Sequence, residues 1–151
     1  MYAHLLVPLD GSDFAEHALP EAIELAKRFE SRVTLLTIVP PPHLDAGGFI
    51  PDSAELYQRR RDAACNEATG YLMEQAQKLQ AAGITVDHHA MEGEPVTECI
   101  LDFTEQSDVD TIVMCTHGRS GIQRWVFGSV AEKLLRATAL PVILIRPKLE
   151  K

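Results

Sequence analysis

Five short apolar runs alternate with four longer stretches of helical pattern, and this alternation most limits how the chain can fold. The runs are HLLVPLD (4–10), RVTLLTIVP (32–40), ITVDHHAME (84–92), VDTIVMCT (109–116) and PVILIRP (141–147). In the first, apolar residues are nearly continuous, the pattern of a strand covered on both faces. Ser12 or Asp13 is expected to cap a helix reaching about Phe29, with Ala15, Ala18, Ala22, Ile23 and Ala26 available for packing. A long helix is expected over 54–82, stopped by Gly83. EPVTECILDFTEQS (94–107) predicts a third helix with Pro95 in its first turn, and Ser129 to Ala137 a fourth. The third strand, polar towards its end, reads as a sheet edge. Strand–helix alternation requires parallel strands joined by right-handed crossovers, with helices on both faces. The expectation is an α/β fold: a single doubly wound, five-stranded parallel sheet.

The 151 residues suit one domain with a sizeable core, and no repeat or linker divides them. A net charge of −8 disfavours nucleic acid and anionic lipid, which need a basic face, but leaves room for a small anion bound by helix-start amides. No apolar run reaches membrane-spanning length, and MYAHLLVPLDGS lacks the plan of a signal peptide. Three widely spaced cysteines, Cys65, Cys99 and Cys115, argue against a disulfide framework. The expected location is the cytoplasm, without membrane insertion.

In such sheets ligands bind beyond the carboxyl ends of the strands, where strand order reverses. If the first and fourth strands are central neighbours, Asp10 and the 118–128 loop open on one crevice. Gly118 lets a ligand approach the backbone. Gly128 and Ser129 precede a helix whose first N–H groups are unpaired, so a phosphate there would meet those amides and the Ser129 hydroxyl. Arg119 and Arg124 would add charge-assisted contacts. Each glycine alone reads better as serving a turn, with Ser129 as a simple cap. Their joint position after a strand and before a helix favours the phosphate.

With these residues in place, the chain resembles the universal stress protein family from HLLVPLDGS to PVILIRP. The nucleotide-binding branch carries G-x-x-G, nine residues, then G-S or G-T. Here Cys115-Thr-His-Gly118, nine residues (119–127) and Gly128-Ser129 follow that pattern, with Cys115 in place of the first glycine. Cysteine is small, so ATP binding is expected to survive the change. The resemblance implies an adenine nucleotide alpha hydrolase-like fold and a site with the following parts. Pro8, Leu9 and Asp10 follow the first strand, with Asp10 near the ribose and a candidate to hold Mg²⁺ through water. Val39 would meet adenine through its backbone, and Met114 and Cys115 would wall base and sugar. Gly118, Arg119, Gly128, Ser129 and Val130 would surround the phosphates, joined by Arg124. It also implies a homodimer formed by antiparallel pairing of the last strand, Val142 to Ile145, whose apolar edge otherwise invites association, and a regulatory protein partner of unknown identity.

Other chemistries fit less well. HHAMEGE supplies no phosphoacceptor Asp after the third strand, DGSD lacks the paired glycines of an ATP pyrophosphatase loop, and no Gly-Lys-Ser/Thr ending is present. His88 and His89 point to opposite faces of a strand and make a poor ligand pair. His117 reads as a loop residue near the ligand, Cys65 and Cys99 as packing residues, and Arg59 to Arg61 as a solvated helix face. Trp125 would shield the loop or touch a partner. No general base, metal-binding carboxylate set or nucleophile suits rapid turnover, so at most slow ATP hydrolysis is expected. The other reading is a nucleotide-free interaction module of the same fold, for which Cys115 and the 45–53 stretch speak.

Overall fold

The computed structural model describes residues 1–42, 53–116 and 128–147. Its order is β1 (His4–Pro8), α1 (Asp13–Glu16), α2 (Ala18–Phe29), β2 (Arg32–Val39), α3 (Ser53–Ala81), β3 (Val86–Glu92), α4 (Val96–Gln106), β4 (Thr111–Cys115), α5 (Ser129–Ala137) and β5 (Val142–Ile145). All five strands pair parallel in the order β3-β2-β1-β4-β5. The chain therefore runs outward from β1 on one side, then crosses to β4 and runs outward on the other. Crossovers of one hand that travel in opposite directions put their helices on opposite faces.

Two buried clusters show this division. Leu5, Val7 and Leu9 of β1 and its exit pack with α1, α2 and α3 residues such as Ala22, Leu72 and Leu79. Leu6, pointing the other way, joins Leu36, Ile100, Ile112 and Leu134 beneath α4 and α5. Strand alternation thus divides β1 between the two clusters, which is why its sequence is almost wholly apolar.

Local chemistry sets the element ends. Ser12 Oγ accepts the Ala15 amide at 3.2 Å and so caps α1. The single helix expected to Phe29 is instead two, broken at His17. Pro20 explains the break: it has no N–H to donate and its ring clashes with the carbonyl of residue 16. Gly83, with φ +83°, ends the turn after α3 as expected. Pro95 is the N-cap of α4 rather than a member of its first turn. At the amino end of the sheet, buried His4 joins Thr34 Oγ1 (2.7 Å) to Asp108 Oδ1 (2.9 Å). That bond, with Arg32 beside it, holds the Asp108 carboxyl below the usual range. Asp110 accepts the Ala3 amide at 2.9 Å, tying the chain start to the entry of β4.

The two sheet edges differ in chemistry. β3 alternates exposed Asp87, His89 and Met91 with half-buried residues, whereas β5 is Val-Ile-Leu-Ile, uncharged and half-exposed throughout.

Candidate functional site

The reversal of strand order falls between β1 and β4. Over their carboxyl ends lies a cavity of about 800 Å³, within the range of small-molecule sites. Nine of the twelve residues expected at a ligand line it: Pro8, Leu9 and Asp10 after β1; Val39 at the end of β2; Met114 and Cys115 of β4; Gly128, Ser129 and Val130 at the start of α5. Gly118, Arg119 and Arg124 lie outside the described residues, as do His117, Trp125 and most of the 45–53 stretch.

At the end of β1 the chain turns sharply. Gly11 has φ +79°, a conformation open to glycine at no steric cost. Asp10 Oδ1 accepts both the Ser12 amide (3.0 Å) and the Ser12 hydroxyl (2.5 Å), which fixes its carboxylate at the rim while Ser12 caps α1.

Across the cavity, the cap of α5 is Gly128 and no side chain caps the helix. Ser129 is therefore the first helical residue and not a cap. The Gly128 amide donates to the Thr116 carbonyl (2.6 Å), strapping the end of β4 to the start of α5. The first intrahelical bond runs from the Glu132 amide to the Gly128 carbonyl at 3.0 Å. The amides of Ser129, Val130 and Ala131 are consequently the donors that helix geometry leaves without intrahelical partners, and all three residues line the cavity.

Cys115 is buried in the wall and leaves the cavity open. Burial, with the Asp10 charge adding to it, pushes its thiol up to about 11 against the bond from the Thr116 backbone. The neutral thiol is thus favoured in the folded state, and this contribution to stability is lost as pH rises from the unfolded thiol's value towards 11. The expected results are a decline in stability above about pH 9 that Cys115→Ala reduces, and no alkylation of Cys115 by iodoacetamide at pH 7.5, read by mass spectrometry of the native protein.

Val39 lines the cavity as expected, but its carbonyl accepts the Gly93 amide at 3.0 Å in continuation of the β2–β3 ladder. One acceptor direction of that carbonyl remains. That end of the cavity is otherwise largely apolar, walled by Ile38, the prolines at 40–42, Val96 and Ile100. Helix α3 supplies a wall that the sequence reading did not assign: Ala64, Glu67, Ala68 and Tyr71, spaced to share one helical face. The signal was present as small residues four apart followed by an aromatic, at positions read only for helix length.

The cavity is electrically polarised. Asp10 and Glu67 line it, and among the described residues no Lys or Arg does. The positive end of the α5 dipole faces it from the other side of the sheet. Among the described residues, no group of three or more His, Cys, Asp or Glu is placed to hold a metal, and no helix is long and apolar enough to cross a membrane.

The family model for universal stress proteins matches residues 1–146. The chain belongs to the universal stress protein family. One relative, universal stress protein MJ0531 of Methanocaldococcus jannaschii, is 30% identical over 152 residues, covering 99% of this chain and 86% of the relative. Among solved structures, protein MJ0577 of the same organism superposes with a TM-score of 0.84 at 25% identity, covering 99% of each chain. The universal stress protein of Archaeoglobus fulgidus in complex with dAMP shares the fold, with a TM-score of 0.59 at 23% identity, covering 95% of this chain and 98% of that one. The doubly wound α/β architecture expected from the strand pattern is thus that of known universal stress proteins.

Proposed function

We propose that this universal stress protein is an ATP-binding, cytoplasmic regulator of the stress response, whose bound nucleotide tunes dimerisation or the choice of a protein partner. One observation carries the reading: three helix-start amides, at Ser129, Val130 and Ala131, open on a cavity of nucleotide size at the switch point of the sheet. Met114 and the largely apolar end of the cavity accept adenine, Asp10 meets the ribose, and the phosphates lie at α5 with Gly118, Arg119 and Arg124. The family's dAMP-bound member supports a nucleotide in this fold. Asp10 is the group to hold a Mg²⁺ through water. Turnover is at most slow.

β5 is the surface for a second copy. Its backbone pairs with β4 on one side only, and it carries none of the charges that guard β3. Ile143→Lys is expected to convert the dimer to monomer in sedimentation velocity, and an unchanged sedimentation coefficient would count against β5 as the interface.

The acidic lining favours the other reading, a nucleotide-free interaction module. The two separate in one assay. Purified protein is denatured and the supernatant analysed for adenine nucleotides, with thermal shift by added ATP and Mg²⁺ alongside. Released nucleotide or a ligand-dependent rise in Tm is the result expected; neither, from well-folded protein, would favour the module.

A further inference from the structure

Tyr71 on α3 lines the cavity, yet its hydroxyl oxygen is shielded from solvent and has no hydrogen-bond partner among the described residues. Burial, followed by the carboxylates of Glu16, Asp10 and Asp13, holds the phenol protonated, so it stands as a donor. Glu16 acts on it most strongly of the charges without reaching hydrogen-bond geometry, and itself accepts Gln75 Nε2 at 3.3 Å. A buried hydroxyl without a partner destabilises a fold, and phenylalanine would fill the same volume without that cost. A tyrosine in this position is explained by a partner that arrives with the ligand.

The polarity of the cavity identifies that partner. Tyr71 packs against the cluster on the α1–α3 face, beside Asp10 and Glu67, whereas the α5 amides belong to the opposite face. Phosphate oxygens are repelled by the first wall and drawn to the second. A neutral hydroxyl suits the carboxylate wall. We infer that the Tyr71 hydroxyl is a specificity-determining group that donates a hydrogen bond to a ribose hydroxyl of the bound nucleotide, next to Asp10. This inference rests on the nucleotide reading above and adds to it discrimination by one hydroxyl of the sugar.

The test is isothermal titration of the full chain and of Tyr71→Phe with ATP, 2′-deoxy-ATP and 3′-deoxy-ATP. Tyr71→Phe is expected to weaken ATP about fivefold to tenfold. The two proteins should bind alike the analogue that lacks the contacted hydroxyl. Ligand-free Tyr71→Phe should melt at the same temperature as the unchanged protein or higher. Equal affinity for ATP, equal weakening across all three ligands, or a fall in the ligand-free Tm would each overturn the assignment. Failure of the unchanged protein to bind any of the three would instead remove the nucleotide reading, and the ribose contact with it.

Discussion

Ser129→Glu is expected to weaken ATP binding about a hundredfold while leaving the fold as stable as before, or more so. The two effects have opposite signs because they share one cause. Ser129 is the first residue of α5, where no side chain caps the helix and three amide protons converge. A carboxylate there sits at the positive end of the helix dipole and contributes about 0.3–1 kcal/mol of stability. Glutamate is also the better helix former. The same carboxylate occupies the place of the phosphates and repels them. The expected loss is on the order of a hundredfold in affinity, since like charges a few ångströms apart near a protein surface oppose each other by several kcal/mol. Calorimetric titration and thermal melting of the same sample give both readouts. Retained affinity would show that the phosphates lie elsewhere.

The second large effect falls on the sheet. Leu6 is fully buried at the centre of β1, with Leu36, Ile100, Ile112 and Leu134 in its cluster. Leu6→Ala removes methyl groups where the surrounding strands and helices cannot collapse, so a loss of about 3–4 kcal/mol is expected. For a chain of this size that lowers Tm by roughly 10 °C. Leu135→Ala is the control: Leu135 lies on the outer side of α5 with 41% of its surface exposed, and its loss is expected to cost no more than about 0.5 kcal/mol. Chemical denaturation of the three proteins measures the difference. Similar losses for both variants would contradict the placement of Leu6 in the core and of Leu135 at the surface.

Much of this architecture was legible in the residues, for physical reasons that also mark its limits. Strands buried on both faces are almost continuously apolar, so β1, β2 and β4 stand out. The polar alternation of β3 marked it as an edge. Helix α5 begins and ends where its pattern does, because Gly128 and the extended Thr138 interrupt it. Pro20 was passed over: two helices form where one was expected, since the apolar spacing of 15, 18, 22 and 26 runs unbroken through a backbone that is not continuous. At the site, topology made residues after β1 and β4 neighbours, and a motif pointed to Gly128 and Ser129. The hydrogen bond from the Gly128 amide to Thr116 was invisible in the sequence, because it joins residues twelve apart, at the end of β4 and the start of α5. The α3 wall was missed for a related reason. Helical periodicity shows which face turns inward, but not that the inward face of Ala64, Glu67, Ala68 and Tyr71 meets a cavity rather than the core.

The central claim is that a polyphosphate is held by the first amides of α5. Titration of ¹⁵N-labelled protein with ATP tests it most directly. The account predicts that the amide resonances of Ser129, Val130 and Ala131 move downfield together with saturation, and by more than those on β3. ATP binding that leaves those three resonances in place, or no binding at millimolar ATP, would contradict it.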